Sequence, residues 1–169
     1  LRIMKKRCGL LSSLFLLATT LFAADHPYQY FRAGNPNDVQ TKTRPGFALM
    51  GGGSDLDTAF QYMCERAGGG VFLVLRASGD DDYNPYIQGL CKLNSVATFI
   101  LTSRAAANDP FVAETIRHAE AVFIAGGDQA HYINWWMDTP VQQALNEAIE
   151  RRVPIGGTSA GLAVQGEFV

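Results

Sequence analysis

The sequence predicts an α/β fold, a doubly wound parallel sheet with helices on both faces. Three observations carry that prediction. From residue 46 onward, apolar runs of strand length alternate about five times with stretches whose apolar residues recur every three or four positions. The apolar runs are continuous, as expected for strands covered on both sides. No hairpin signal joins one strand to the next, so the connections are crossovers.

Phe47 to Met50 is the first short strand, and Gly51-Gly52-Gly53 ends it. Ser54 or Asp55 is then placed to cap a helix whose inner face is Leu56, Ala59, Phe60, Met63, Cys64 and Ala67, and Gly68-Gly69-Gly70 stops that helix. Val71 to Leu75 reads as a buried strand, followed by a loop from Arg76 to Tyr83, and Val96 to Leu101 as the next strand. Asn108 or Asp109 caps a helix with Pro110 at its first position, with Phe111, Val112, Thr115, Ile116 and Ala119 facing inward. Ala121 to Ala125 is a strand broken by Gly126-Gly127. Thr139-Pro140 starts a helix with Val141, Ala144, Leu145, Ala148 and Ile149 inside, and Pro154-Ile155-Gly156 is the last strand.

The first 45 residues are different in kind. Met4-Lys5-Lys6-Arg7 is basic, and Leu10 to Phe22 is apolar apart from Ser12, Ser13, Thr19 and Thr20. Ala23-Ala24 is small and precedes the polar Asp25-His26-Pro27. That order predicts a secretory signal peptide over residues 1–24 and a secreted or periplasmic protein. The apolar stretch is shorter than the roughly 20 residues of a spanning helix, so no stable membrane anchor is expected. An uncleaved anchor is the alternative. Residues 25–45 carry Pro27, Gly34, Pro36 and Pro45 and read as a leader segment against the domain edge; the domain itself covers 46–169.

Composition excludes several classes of function. Hydrophobic residues make up 47% of the 169, enough for one buried core, and the formal net charge of −2 comes from interspersed charges. Without a basic stripe, nucleic acid is not expected as a partner. His26, His118 and His131 lack ligand spacing, so neither a metal nor a cofactor is indicated. His118 reads as a surface residue late in its helix; His131 follows Gln129 closely, with a structural role favoured over an approach to the site. Cys8 falls in the leader. Cys64, on an apolar helix face, is read as a small core residue in preference to a disulfide partner of Cys91. Trp135 and Trp136 read as packing residues. Asp80-Asp81-Asp82 reads as a solvated loop, with recognition of a cation or guanidinium as the alternative.

The chemistry is expected at the carboxyl ends of the strands, where open α/β sheets bind ligands. Gly157-Thr158-Ser159-Ala160-Gly161 stands between an apolar strand and a helix, the arrangement of a nucleophile elbow. A serine on so sharp a turn needs small neighbours, and helix N–H groups point at the same spot. The five-residue pattern alone is weak; the strand-turn-helix context favours catalysis by Ser159. A developing oxyanion would take the N–H of Ala160, one residue on, and that of Gly127 at the tip of the neighbouring strand. Gly126-Gly127 alone is equally a plain tight turn. Gly51-Gly52-Gly53 has neither dinucleotide spacing nor the Lys-Ser or Lys-Thr of a phosphate loop, and Gly52 and Gly53 are read as backbone approaching the site.

Ala125-Gly126-Gly127-Asp128-Gln129 together with Gly157-Thr158-Ser159-Ala160-Gly161 resembles peptidase family S51, the group of cyanophycinase and dipeptidase E, from about Phe47 to Val169. The resemblance implies a flavodoxin-like sheet of the class I glutamine amidotransferase type with serine in place of the nucleophilic cysteine. It also implies Ser159 as nucleophile, Gly127 and Ala160 as oxyanion donors, and Gln129, beside Asp128, Gly52 and Gly53, as the substrate-facing group. The Gly-Gly-Asp-Gln form is nearer to cyanophycinase than to the dipeptidase. The substrate implied is a peptide with an acidic residue at the scissile bond, an Asp-X dipeptide or a β-Asp-Arg polymer. A homodimer is a further option.

One departure accompanies the resemblance. The family's base histidine and its orienting acid follow the serine, whereas the ten residues after Ser159 include Glu167 and no histidine. The chain is therefore expected to be a fragment lacking its C-terminal part, with a non-catalytic peptide-binding protein as the alternative.

Overall fold

The computed structural model describes residues 26–167. The expected signal peptide and Cys8 lie outside the described residues. Among those described, no helix is long and apolar enough to cross a membrane.

Among the described residues, six strands form one sheet. In chain order the elements are β1 (Tyr28–Gly34), β2 (Phe47–Met50), α1 (Asp57–Arg66), β3 (Val71–Arg76), α2 (Tyr83–Leu90), β4 (Ser95–Leu101), α3 (Arg104–Ala107), α4 (Pro110–His118), β5 (Ala121–Ile124), α5 (Gln129–Trp136), α6 (Pro140–Glu150), β6 (Ile155–Thr158) and α7 (Ala160–Ala163). The sheet order is β1-β4-β3-β5-β6-β2. β4, β3, β5, β6 and β2 run parallel, as expected, and their side chains are buried on both faces at the centre.

The leader contributes more than a loose edge contact. Tyr28–Gly34 pairs antiparallel with β4 over seven residues, so the sheet is mixed. Its aromatic side chains explain the docking: Tyr30 lies 4.5 Å from Phe99, and Tyr28 and Tyr30 both pack on Phe111. Phe111, expected on the inner face of its helix, instead sits half-exposed and covers the ends of these tyrosines.

The two faces of the sheet carry separate cores. One holds Phe60 and Met63 of α1 and Ile87 of α2 against Phe72, Val74, Val96 and Phe123. The other holds α3 to α7 against Leu73, Leu75, Phe99, Leu101, Val122 and Ile124. Asp109 caps α4 by accepting from the Phe111 N–H at 2.9 Å, with Pro110 next, as expected.

Several local expectations are corrected. Ser54 and Asp55 do not cap α1; the capping position falls on Leu56, because the Asp55 carboxylate is engaged by the Tyr83 hydroxyl at 2.6 Å. Leu56 and Ile149, expected inside, are exposed at helix ends. Cys64 is joined to Cys91 in a disulfide, so it does more than fill the core. It staples the last turn of α1 to the residue that ends α2, two helices on the same face of the sheet. Trp136 is buried as a packing residue and Trp135 packs against the same cluster.

Candidate active site

The carboxyl ends of β2, β5 and β6 meet at Ser159. Its backbone has φ 52° and ψ −120°, a conformation that side-chain-bearing residues avoid and that the flanking structure has to impose. The imposition is visible. The Ser159 N–H donates to the Met50 carbonyl at 3.1 Å, extending the β2–β6 ladder. Its carbonyl accepts from Leu162 and Ala163, each at 3.0 Å, so the helical turn starts at once.

Glycines make that geometry feasible. A Cβ on Gly161 would overlap the carbonyl oxygen of Ile124, and one on Gly157 would overlap the Gly161 carbonyl and the Gln165 side chain. These two positions therefore let α7 lie directly on β5 and β6. A Cβ on Gly126 would stand 3.5 Å from Ser159 Cβ, and one on Gly52 would stand 3.8 Å from Ser159 Oγ. The backbone of both loops thus lines the hydroxyl, and Thr158 Oγ1 ties β6 to the loop after β2 by donating to the Gly51 carbonyl at 3.2 Å.

Ser159 is exposed, and among the described residues no hydrogen bond engages its Oγ. The N–H groups of Ala160 and Gly127 likewise donate to no described protein group. Such free donors beside a serine hydroxyl can receive a carbonyl oxygen. Gly127 is positioned by Tyr132, whose hydroxyl donates to the Ala125 carbonyl at 2.8 Å and the Gly126 carbonyl at 3.1 Å. Burial pushes the Tyr132 phenol up to about 12, so it stays a donor at any physiological pH.

The remaining expected site residues divide. Asp128 is exposed and caps α5, accepting from the Ala130 N–H at 2.9 Å. Gln129 is the first residue of α5, exposed beside Gly127. Gly53, at φ 143°, lies in open space where the chain turns away from β2. His118 closes α4 at the amino end of β5, the edge of the sheet opposite Ser159, where it bonds Asp38 and Glu114. His131 stacks flat on Trp135, centroids 4.2 Å apart.

Three residues of this edge escaped the sequence reading. Tyr132 carried one usable signal, a single polar-tipped aromatic one helical turn beyond Gly127. Asp55 and Tyr83 carried none, because their bond joins residues 28 apart. Burial first, then that bond, raises the Tyr83 phenol. The roomier hollows, about 700 Å³ along α6 and about 570 Å³ beside Tyr28 and Phe111, are lined by no residue of the serine turn. Among the described residues no group of three His, Cys, Asp or Glu side chains is placed to hold a metal ion.

A flavodoxin-like sheet whose glycine loops gather around a serine on a strained strand-to-helix turn defines a class of α/β proteins with an elbow-borne serine. Residues 47–169 match the model of Peptidase family S51, and the chain belongs to that family. A crystal structure of a peptidase from an acI-B1 Actinobacterium is similar in fold, with a TM-score of 0.54 and 18% identity. The match covers 72% of this chain and 57% of that one, so this chain spans little more than half the length of that peptidase. No curated protein matches the chain.

Proposed function

We propose that the protein is a serine peptidase that cleaves aspartyl or isoaspartyl peptide bonds through an acyl-enzyme. The observation that carries the reading is the backbone of Ser159, a non-glycine residue held at φ 52° with its hydroxyl exposed between uncommitted N–H groups. Ser159 Oγ attacks the scissile carbonyl carbon, and the oxygen takes its negative charge toward the Ala160 and Gly127 N–H groups. The amine then leaves with a proton, and water releases the acyl group. Gln129, beside Gly127, orients the substrate.

A serine needs a base within about 2.6–3.2 Å to lose its proton. His118 stands at the opposite edge and His131 is stacked on Trp135. The reading therefore assigns the base to a histidine C-terminal to Val169 in a longer polypeptide, as the family resemblance implies. The Cys64–Cys91 disulfide supports an oxidising compartment and hence export.

The test is hydrolysis of Asp-X and β-Asp-Arg peptides by this chain and by its C-terminally extended form, each beside Ser159→Ala. Turnover that Ser159→Ala abolishes, with a mass adduct on Ser159 in the trapped acyl-enzyme, is expected in the extended form. Full turnover by the short chain would assign the base to His131 or another local group. Peptide binding without turnover in either form would replace the enzyme by a peptide-binding protein.

A further inference from the structure

Gly51-Gly52-Gly53-Ser54 carries the chain from β2 past the serine hydroxyl toward α1, and little holds it there. All four residues are exposed, and a Cβ on Gly51 or Gly53 would meet nothing within 4 Å. Among the described residues, Gly52, Gly53 and Ser54 make no hydrogen bond. Three glycines in a row also lose more freedom on ordering than any other residues would. The loop is therefore placed by its two ends. Thr158 Oγ1 holds the Gly51 carbonyl at one end. At the other, the Tyr83 hydroxyl donates to Asp55 Oδ2 at 2.6 Å, while Asp55 Oδ1 is buried with no partner. The Leu56 N–H, one residue on, reaches only the sulfur of Met50 at 3.4 Å.

Tyr83 is the rigid member of that pair. Its ring packs between Phe60 and Phe123, with centroids 5.9 and 5.5 Å away, and the Arg76 guanidinium lies 5.4 Å from its own centroid. The next residue, Asn84, accepts from Thr98 Oγ1 of β4 at 2.8 Å in the buried interior, which pins the first turn of α2 to the sheet. The hydroxyl is thus a fixed point, and the carboxylate it holds closes a loop that would otherwise drift. Gly52 is close enough to Ser159 Oγ that a drift of about 1 Å changes the space beside the hydroxyl.

We infer that Tyr83 is a positioning residue, which through Asp55 latches the triple-glycine loop beside Ser159 and keeps that side of the hydroxyl shaped to receive substrate. The consequence for turnover rests on the serine-peptidase reading; the latch itself does not. A second bond of the same kind runs from Tyr86 to Asp57 Oδ1 at 2.5 Å. It leaves the same helix but lands on the first residue of α1, beyond the loop, and serves stability alone.

The experiment is steady-state kinetics of the C-terminally extended form with Asp-X and β-Asp-Arg peptides, beside NMR order parameters of the glycine amides in the chain itself. Tyr83→Phe and Asp55→Ala are each expected to raise KM about 10-fold with kcat within about twofold, because the substrate then has to order the loop itself. The double variant should be no worse than either single one, as for two partners of one bond. Asp55→Asn keeps an acceptor and should recover part of the loss. Tyr86→Phe should leave KM unchanged. A mere loss of folded protein does the opposite, lowering apparent kcat and leaving KM where it was. The Gly52 and Gly53 order parameters should fall below about 0.6 in Tyr83→Phe and hold their parent values in Tyr86→Phe. If the parent hydrolyses no peptide, the peptidase reading fails and the order parameters alone decide the latch. An unchanged KM in Tyr83→Phe, an equal rise in Tyr86→Phe, or unchanged order at Gly52 and Gly53 overturns the inference.

Discussion

Removing the Cys64–Cys91 bridge should weaken the fold substantially without touching the chemistry. The two cysteines are 27 positions apart, and the chain-entropy relation for a closed loop of that length gives about 12 cal/mol/K, or about 3.5 kcal/mol at 25 °C. For a domain of this size each kcal/mol moves the melting midpoint by about 2–4 °C, so a fall of about 10 °C is expected. The assay is urea and thermal unfolding of the oxidised protein, the reduced protein and the Cys64→Ala, Cys91→Ala double variant. Mass mapping of the linked peptides confirms the bond in the oxidised sample. Because α1 and α2 are stapled at the end remote from Ser159, the kcat proposed for the C-terminally extended form should be unchanged in its folded fraction. A shift below about 1 kcal/mol, or unlinked Cys64 and Cys91 in protein recovered from an oxidising compartment, would refute the reasoning.

Other perturbations address the site and its surroundings. Gly161→Ala would push a methyl into the Ile124 carbonyl and should cost about 1–3 kcal/mol in unfolding experiments, whereas Gly51→Ala meets open space and should be tolerated. Tyr132→Phe removes the hydroxyl that fixes Ala125 and Gly126; in the extended form the proposed kcat/KM should fall several-fold, with stability reduced by about 1 kcal/mol, read by kinetics beside urea melts. The bonds from Asp38 and then Glu114 raise His118 above its usual 6.5. A raised folded value means the stabilisation is complete below pH 6.5 and is lost as pH rises through the shifted value, so the melting midpoint should drop across that window and His118→Gln should flatten the profile.

The sheet and the serine turn were legible because each rests on local signals. Continuous apolar runs mark strands buried on both faces, and the glycines of 157–161 mark a turn where backbones touch. What stayed hidden depends on partners distant in the chain. Tyr28–Gly34 is polar, aromatic and flanked by breakers, and becomes a strand only because β4 offers an edge and Phe99 a surface for its tyrosines. Cys64 reads as core by periodicity, and nothing local reveals that Cys91 comes to rest beside it. Asp55 loses its capping role to Tyr83 for the same reason. α2 and α3 were missed because their eight and four residues are too short to display a period.

In the proposed peptidase, the twist at Ser159 sets stability against activity. Holding a side chain at φ 52° costs on the order of 1–3 kcal/mol, which glycine would largely escape. Ser159→Gly should therefore melt higher than the parent while losing every property that depends on the hydroxyl. A protein under selection for folding alone would gain from that replacement, so the serine is a standing tax on thermal robustness. Any programme to make this domain hardier will find its easiest improvement at the one position it has to leave alone.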